Sequence, residues 1–250
     1  MQSRTGGFFY RHIGIEILIL ASHIDDCTVT GSNKKLVKDF KANVARRYKL
    51  TDLGPISSLL GMKVTRDCVS RTISLSQDAY IDGIITRYNF TDSKPLSIPM
   101  DPNIQLSMNQ SPKLLAERAM MKNLMHLTIA TRPDIAFAVA TVVQFGNDPG
   151  PVHWDAVKRI FHYLIGTKKL VLTYGGAKHG LEGFTDADRA SQEHRHAISG
   201  YAFLLDGGAV SWSSKKQELV TLSTSEAEYV AATHAAKEAI WLHRLLQEVF

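Results

Sequence analysis

Cysteine is scarce in this sequence, and long apolar runs are missing from it. The 250 residues include two cysteines, Cys27 and Cys68, which are too few for a disulfide framework in a chain of this length. We therefore expect an intracellular protein, cytoplasmic or nuclear. The longest apolar stretch, Ile13 to Ala21, contains Glu16 and is far shorter than the roughly 20 residues that a membrane-spanning helix needs. The sequence predicts no membrane partner.

Acidic residues are outnumbered by basic ones. The chain has 29 Lys and Arg residues against 24 Asp and Glu residues, which gives a formal net charge of +5 at pH 7. A modest excess of this kind favours a polyanionic partner, although many proteins without such a partner are as basic. Hydrophobic residues make up 44% of the chain and charged residues 21%, proportions typical of a soluble globular protein with one large domain or two ordinary ones.

The spacing of apolar residues predicts an α+β protein in three parts. Residues 1–100 have the pattern of two hairpins, each followed by a helix, and residues 101–168 predict three helices. A stretch rich in proline between Lys94 and Pro112 is the best candidate boundary between these parts. Residues 169–250 predict strands followed by a helix from about Ser225. The predicted strands of this last part are Leu170–Tyr174, Leu181–Asp188, Ile198–Leu205 and Ala209–Ser213.

Two adjacent aspartates interrupt the first strand-like stretch. A run of β-branched residues leads to His23, Asp25 and Asp26 follow, and strand composition resumes at Cys27, which we expect to be buried. This pattern predicts a hairpin with both acids at its turn. Aspartate is common in turns, so the residues alone favour a purely structural role. Paired carboxylates are also the usual ligands that hold divalent metals over a nucleic-acid backbone.

A second group of acids lies in the last part of the chain. Asp186 and Asp188 are two residues apart on a predicted strand, so both carboxylates should project from one face. Glu228 falls in the first turns of the following helix, near small residues that would let this helix lie close to a sheet: Ala231, Ala232 and Ala235. A strand acid and a helix acid that converge would form half of the active site of a two-metal phosphodiester hydrolase. The same cluster can also be structural or simply solvated.

The first predicted helix has a basic outer face. Apolar residues recur every four positions from Leu36 to Tyr48, and Ser32 is a plausible N-cap. The residues between them include Lys34, Lys35, Lys38, Lys41, Arg46 and Arg47. Such a face could follow nucleic-acid phosphates, and a solvated lysine face explains the pattern about as well.

Several segments resemble, in the same order, parts of Ty1/copia-type retrotransposon polyproteins. Those similar to the ribonuclease H region are Leu181–Asp188, Ser199–Tyr201, Val210–Gln217 and Leu222–Tyr229. Those similar to the reverse transcriptase region are Asp52–Pro55, Ile73–Gln77, Thr131–Val139, His153–Trp154 and Ala156–Arg159. The resemblance extends over essentially the whole chain.

This resemblance implies a fold and two sites. The fold would be a partial reverse transcriptase palm with the start of the thumb (1–100), a helical thumb or connection (101–168) and a truncated α/β ribonuclease H-like domain (169–250). Asp25 and Asp26 would hold the magnesium ions of the polymerase site, and Asp186 and Glu228 those of the ribonuclease site. Mn²⁺ could replace Mg²⁺. An RNA–DNA hybrid or another nucleic acid would be the partner, and the oligomeric state stays open.

The sequence also departs from the family pattern. His23 stands where the family more often has tyrosine, and no acid precedes Glu16, although the polymerase site needs an aspartate from an upstream strand. The ribonuclease site needs a third aspartate after the last helix, and residues 189–192 lack the usual Trp-Ala-Gly-Asp. We expect incomplete sites, weakened metal binding and little or no activity. The alternatives are a non-catalytic nucleic-acid-binding remnant and a degenerate product without a selected function.

Overall fold

The computed structural model describes residues 6–104, 106–107, 117–146, 150–176, 180–188 and 196–250. The chain divides into two units. Unit 1 is formed by Met1–Ile56 and Ile240–Phe250, and unit 2 by Ser57–Ala239. No helix among the described residues is long and apolar enough to cross a membrane.

Unit 1 contains a three-stranded antiparallel sheet. Its strand order follows the sequence: β1 (Gly6–Ile13), β2 (Glu16–His23) and β3 (Asp26–Gly31). A two-residue turn joins each pair of neighbours, because Ile13 pairs with Glu16 and His23 pairs with Asp26. The predicted hairpin is therefore confirmed, but its turn consists of Ile24 and Asp25, and Asp26 is already the first residue of β3. Cys27 lies in β3 but is exposed, so the expectation that it is buried was wrong.

Helix α1 (Lys34–Ala45) follows β3 directly. Its N-cap is Asn33, whose side chain accepts a hydrogen bond of 2.8 Å from the Lys35 N–H, so the prediction of Ser32 as the cap was wrong. The Ser32 hydroxyl instead accepts a hydrogen bond of 3.0 Å from the Ile17 N–H. Both residue types are good caps, and the backbone geometry selects the one next to the helix. None of the residues of α1 is buried.

Unit 2 contains two antiparallel sheets. The strands of the first, in order, are β4 (Ser58–Leu59), β5 (Met62–Asp67), β6 (Thr72–Ser76) and β7 (Leu172–Gly175). Those of the second are β8 (Leu181–Asp188), β9 (Ile198–Leu205) and β10 (Gly208–Lys216), with β9 in the middle. The strand predicted near residue 170 therefore pairs with β6 rather than with β8. The boundaries predicted at residues 100 and 168 stay predictions.

Unit 2 contains the helices that the apolar periodicity predicts. They are α2 (Asp78–Arg87), α3 (Glu117–Ala130), α4 (Ala136–Val143, after a short 3-10 turn at Pro133–Ile135) and α5 (Pro151–Thr167). The last helix of the chain is α6 (Thr224–Val249), whose residues up to Ala239 belong to this unit. The apolar pattern predicts α3 from Leu114 to Leu127, and residues 114–116 lie outside the described part of the chain.

The core of unit 2 lies between α2, α3, α4 and α5. Apolar side chains from all four helices are buried there, including Ile81, Leu124, Val142 and Phe161. Burial of a large aliphatic or aromatic side chain contributes about 1.5–3 kcal/mol, so this cluster is the main source of stability in the unit.

A charged side chain lies at the edge of this core. Arg132 is 1% exposed, and its Nε and Nη2 atoms donate to the two carboxylate oxygens of Asp134 at 2.9 and 2.7 Å. Nη2 also donates to the Thr167 hydroxyl at 2.6 Å. The Tyr163 hydroxyl donates to Asp134 at 2.9 Å, and burial together with this hydrogen bond raises the pKa of Tyr163. The network ties the turn after α3 to the end of α5.

We expect Arg132→Met to lower the unfolding free energy of unit 2 by about 2 kcal/mol, because it removes the hydrogen bonds of a buried guanidinium to the partly exposed Asp134 carboxylate and to the Thr167 hydroxyl. Urea denaturation followed by circular dichroism measures this change. A matched control is Lys168→Met, which removes a more exposed ion pair with Asp82 at 2.9 Å in the same unit. The control should lower the unfolding free energy by less than about 1 kcal/mol. Equal losses in the two variants would contradict the central role of Arg132.

Candidate metal-binding carboxylates

Asp25 and Asp26 lie at the tip of the β2–β3 hairpin. Asp25 is the second residue of the two-residue turn, and Asp26 is the first residue of β3, opposite His23. Both aspartates are exposed. Their carboxylates are therefore available to a ligand from solvent.

The first residue of this turn has an unusual backbone conformation. Ile24 has a φ of 52°, in the left-handed region that β-branched residues rarely adopt. Its side chain is 72% exposed, so packing of that side chain does not explain the conformation. A positive φ at the first turn position matches the twist of a two-residue hairpin, so the short connection between β2 and β3 imposes it. The cost is about 1–2 kcal/mol.

The aspartate pair has the donor chemistry that a magnesium site requires. Carboxylate oxygens are the protein ligands that Mg²⁺ prefers, and Mn²⁺ accepts the same donors. Among the described residues, no group of three or more His, Cys, Asp and Glu side chains is close enough to hold a metal ion. Asp25 and Asp26 thus fit as part of a divalent-metal site, and the role of each as a ligand stays a prediction.

Asp186 and Asp188 lie on β8, at the edge of the second sheet of unit 2. Asp186 pairs with Gly200 and Asp188 with Ile198 on β9. Their positions are two residues apart on a regular strand, so they share a face, and both are exposed. The residues after Asp188, where the sequence departs from the family pattern, lie outside the described part of the chain.

Glu228 lies in the second turn of α6 and is exposed. The residue before it, Ala227, is buried. Gln217 holds this end of the helix, because its side-chain amide donates to the Ala227 carbonyl at 2.9 Å and to the Ser199 hydroxyl on β9 at 2.8 Å. Of the three alanines expected to let the helix lie close to the sheet, two are buried and Ala232 is exposed.

The register of the sheet places Asp186 away from α6. Ser199 is linked to α6 through Gln217, and the Ser211 hydroxyl on β10 donates to Glu238 of α6 at 2.7 Å. Ser211 pairs with Phe203, which lies four residues after Ser199, so both serines point to the α6 side. Asp186 pairs with Gly200 and therefore points to the opposite side. The strand and the helix do not bring Asp186 and Glu228 onto one face.

Another acid near Glu228 has a structural role that the sequence reasoning missed. The Glu226 carboxylate accepts a hydrogen bond of 2.7 Å from the Leu222 N–H, and the Glu226 N–H donates to the Ser223 hydroxyl at 3.1 Å. These bonds satisfy backbone groups around the start of α6. Ser followed three residues later by Glu is the sequence signature of such a capping arrangement and would have identified it.

Comparison with known proteins identifies the family to which the chain is similar. Residues 2–102, which include the whole of the β2–β3 hairpin, match the family described as reverse transcriptase (RNA-dependent DNA polymerase). The chain is 41% identical to the retrovirus-related Pol polyprotein from transposon TNT 1-94 of Nicotiana tabacum, over 97% of this chain and 19% of that protein. It is 33% identical to the Pol polyprotein from transposon RE1 of Arabidopsis thaliana, over 94% of this chain and 16% of that protein.

A shorter relative matches over nearly its full length. An uncharacterized mitochondrial protein of Arabidopsis thaliana is 30% identical over 90% of this chain and 94% of its own length. The chain belongs to the family of Ty1/copia-type retrotransposon Pol polyproteins. It spans less than a fifth of the length of the two transposon polyproteins, 19% and 16%. No solved structure is significantly similar to it.

The conformation of Ile24 generates a stability prediction. Ile24→Asn should raise the unfolding free energy of unit 1 by about 1 kcal/mol, because asparagine tolerates the left-handed region better than a β-branched residue. Ile24→Val keeps the β-branch at the same exposed position and should leave the stability unchanged. Urea denaturation monitored by amide hydrogen exchange in β2 and β3 measures both variants. A loss of stability in Ile24→Asn would show that the turn does not carry this strain.

Proposed function

We propose that the chain forms the carboxyl-terminal part of a reverse transcriptase and the beginning of a ribonuclease H-like domain in a copia-type polyprotein. In this proposal residues 1–100 belong to the palm and the start of the thumb, residues 101–168 to the thumb or connection, and residues 169–250 to the ribonuclease H-like domain. The main support is the reverse transcriptase match over residues 2–102, with an exposed Asp-Asp pair at a hairpin tip inside it. The β8–β10 sheet followed by α6 supports the second assignment.

The proposed polymerase role assigns metal binding to Asp25 and Asp26. Divalent ions bound there would stabilise the charge that develops on a phosphodiester during DNA synthesis on an RNA template. The chain itself would contribute two adjacent carboxylates on a short, strained turn, a conformation that limits how far they can move relative to each other. Nucleic acid is the corresponding partner.

The proposed ribonuclease role assigns metal binding to Asp186 and Glu228. The sheet register points the first of these away from the helix that carries the second, so the two do not fit one metal ion in this arrangement. We propose that the ancestral activity was cleavage of the RNA strand of an RNA–DNA hybrid. Because the two carboxylates do not converge, we also propose that this polypeptide by itself has weak activity or none.

We expect the 250-residue polypeptide to extend a DNA primer on an RNA template no faster than its Asp25→Asn variant, with Mg²⁺ or Mn²⁺ present. Two carboxylates alone bind and orient two ions poorly. Cleavage of a labelled RNA–DNA hybrid should likewise not exceed that of Asp186→Asn. Primer extension or hybrid cleavage that disappears only in the matching variant would contradict the proposal of inactivity, and would at the same time establish the carboxylate concerned as a ligand.

A second candidate function is nucleic-acid binding without catalysis, through the outer face of α1. This helix buries none of its residues, and Lys34, Lys35 and Lys38 are exposed on it. Lys41 differs from them, because its ammonium group is already bound to the two carboxylate oxygens of Asp52 at 2.9 and 3.0 Å. The same hydrogen bond lowers the pKa of Asp52.

We expect Lys34→Gln and Lys38→Gln to weaken hybrid binding and to reduce the slope of log K against log salt by about 0.7–0.9 for each phosphate that is no longer neutralised. Lys41→Gln is the matched control and should change the slope little, because Asp52 already neutralises this charge. Fluorescence anisotropy between low and moderate salt measures the slope. Binding that does not respond to salt, or an equal effect of Lys41→Gln, would exclude this face as the binding surface.

A further inference from the structure

A histidine lies opposite one of the two aspartates at the tip of the β2–β3 hairpin. His23 is the last residue of β2, and it pairs with Asp26, the first residue of β3. Both side chains are exposed. Among the described residues, neither the His23 ring nor the Asp26 carboxylate has a hydrogen-bond or ion-pair partner. An imidazole nitrogen and a carboxylate are therefore available to a ligand at the same place.

The hydrogen-bond pattern of the hairpin determines how close these two side chains are. The Ser32 N–H donates to the Ile17 carbonyl at 3.0 Å, at a position that extends the β2–β3 register by one pair. Every second pair of an antiparallel ladder is hydrogen-bonded, and His23 is an even number of residues along β2 from Ile17. The His23–Asp26 pair is therefore of this kind, with Cα atoms about 5.5 Å apart and both side chains on one face. One ion can contact both.

The residues on either side of Asp26 do not share this position. Asp25 belongs to the turn and has no partner residue across the hairpin. Cys27 pairs with Ser22, so its thiol lies on the opposite face of the sheet. The register therefore selects Asp26, rather than Asp25 or Cys27, as the group that can share an ion with His23.

A nitrogen donor changes the ion that such a pair prefers. Mg²⁺ is bound through oxygen atoms, and two aspartates alone suit Mg²⁺ or Mn²⁺. Imidazole suits transition-metal ions such as Zn²⁺, which proteins bind through histidine nitrogen and carboxylate oxygen. The donor set at this tip, one nitrogen and one carboxylate on the same face, is therefore better matched to Zn²⁺ than to Mg²⁺.

We propose that His23 determines the metal preference of the hairpin tip, because its imidazole and the Asp26 carboxylate together bind Zn²⁺ in preference to Mg²⁺. Water completes the coordination of the ion. This inference rests on the proposed function, in which the carboxylates of the tip hold divalent ions. It adds a ligand to that site and assigns different roles to the two aspartates, since only Asp26 shares the ion with His23.

Nitrogen NMR of the histidine rings measures this coordination directly. The full 250-residue chain is used with Cys27→Ser and Cys68→Ser, because both thiols are exposed and would compete for the ion. On titration with Zn²⁺, the ring nitrogen signals of His23 should shift before those of the other histidines. Mg²⁺ at the same concentrations should leave the His23 ring signals unchanged.

Substitutions at the tip test which groups bind the ion. His23→Phe keeps a planar ring without nitrogen and should weaken Zn²⁺ binding, followed on the amides of residues 23–27, about tenfold or more, with Mg²⁺ binding unchanged. Asp26→Asn should weaken Zn²⁺ binding more than Asp25→Asn does. His12→Phe, on the same face of the sheet in β1, is the matched control and should have no effect. The amide spectrum checks that every variant folds.

The possible results separate this inference from the proposed function. His23 ring signals that do not respond to Zn²⁺, unchanged Zn²⁺ affinity in His23→Phe, or equal effects of Asp25→Asn and Asp26→Asn would overturn the metal preference. A tip that binds Zn²⁺ through His23 and Asp26 but responds to neither Mg²⁺ nor Mn²⁺ would support the preference and contradict the proposed polymerase role.

Discussion

The bidentate ion pair between Arg132 and Asp134 is the interaction on which the architecture of unit 2 depends. Arg132 is buried, and a buried guanidinium is tolerated only when its donors are satisfied, so the groups around it must keep fixed positions. Thr167 accepts one of these hydrogen bonds at the end of α5. The preceding residue, Thr131, donates to Gln77 before α2 at 2.7 Å. Two successive residues thus fix three helices relative to one another.

This constraint also determines the sheet that follows α5. The helix ends at Thr167, and β7 begins a few residues later at Leu172 and pairs with β6. Gln77, to which Thr131 donates, directly follows β6. The hydrogen bonds of Thr131 and Arg132 therefore lie next to the end of β6 and shortly before the start of β7. The candidate site residues lie outside this network, and all four carboxylates are exposed. The turn at Ile24 positions Asp25 and Asp26, the pairing of β8 with β9 positions Asp186, and the start of α6 positions Glu228.

Local patterns in the sequence predicted the elements but not their pairing. The two-residue hairpin with Asp25 and Asp26 and the strand from Leu181 to Asp188 follow from residue types over short distances. The pairing of β7 with β6 joins segments far apart in the chain, and no local periodicity encodes it. The face on which Asp186 lies depends on the register against β9 and on where α6 packs, which are tertiary properties. The choice of Asn33 over Ser32 as the cap depends on backbone geometry at a single residue.

We propose that the tip of the β2–β3 hairpin is a divalent-metal site of a reverse transcriptase palm. Titration of the labelled protein with Mn²⁺ tests it most directly, because the ion broadens the NMR signals of nearby amides. We predict that the amides of residues 23–27 broaden first, and that this selective loss disappears when Asp25 and Asp26 are both replaced by Asn. Broadening that starts elsewhere, or that is unchanged in the double variant, would contradict the assignment.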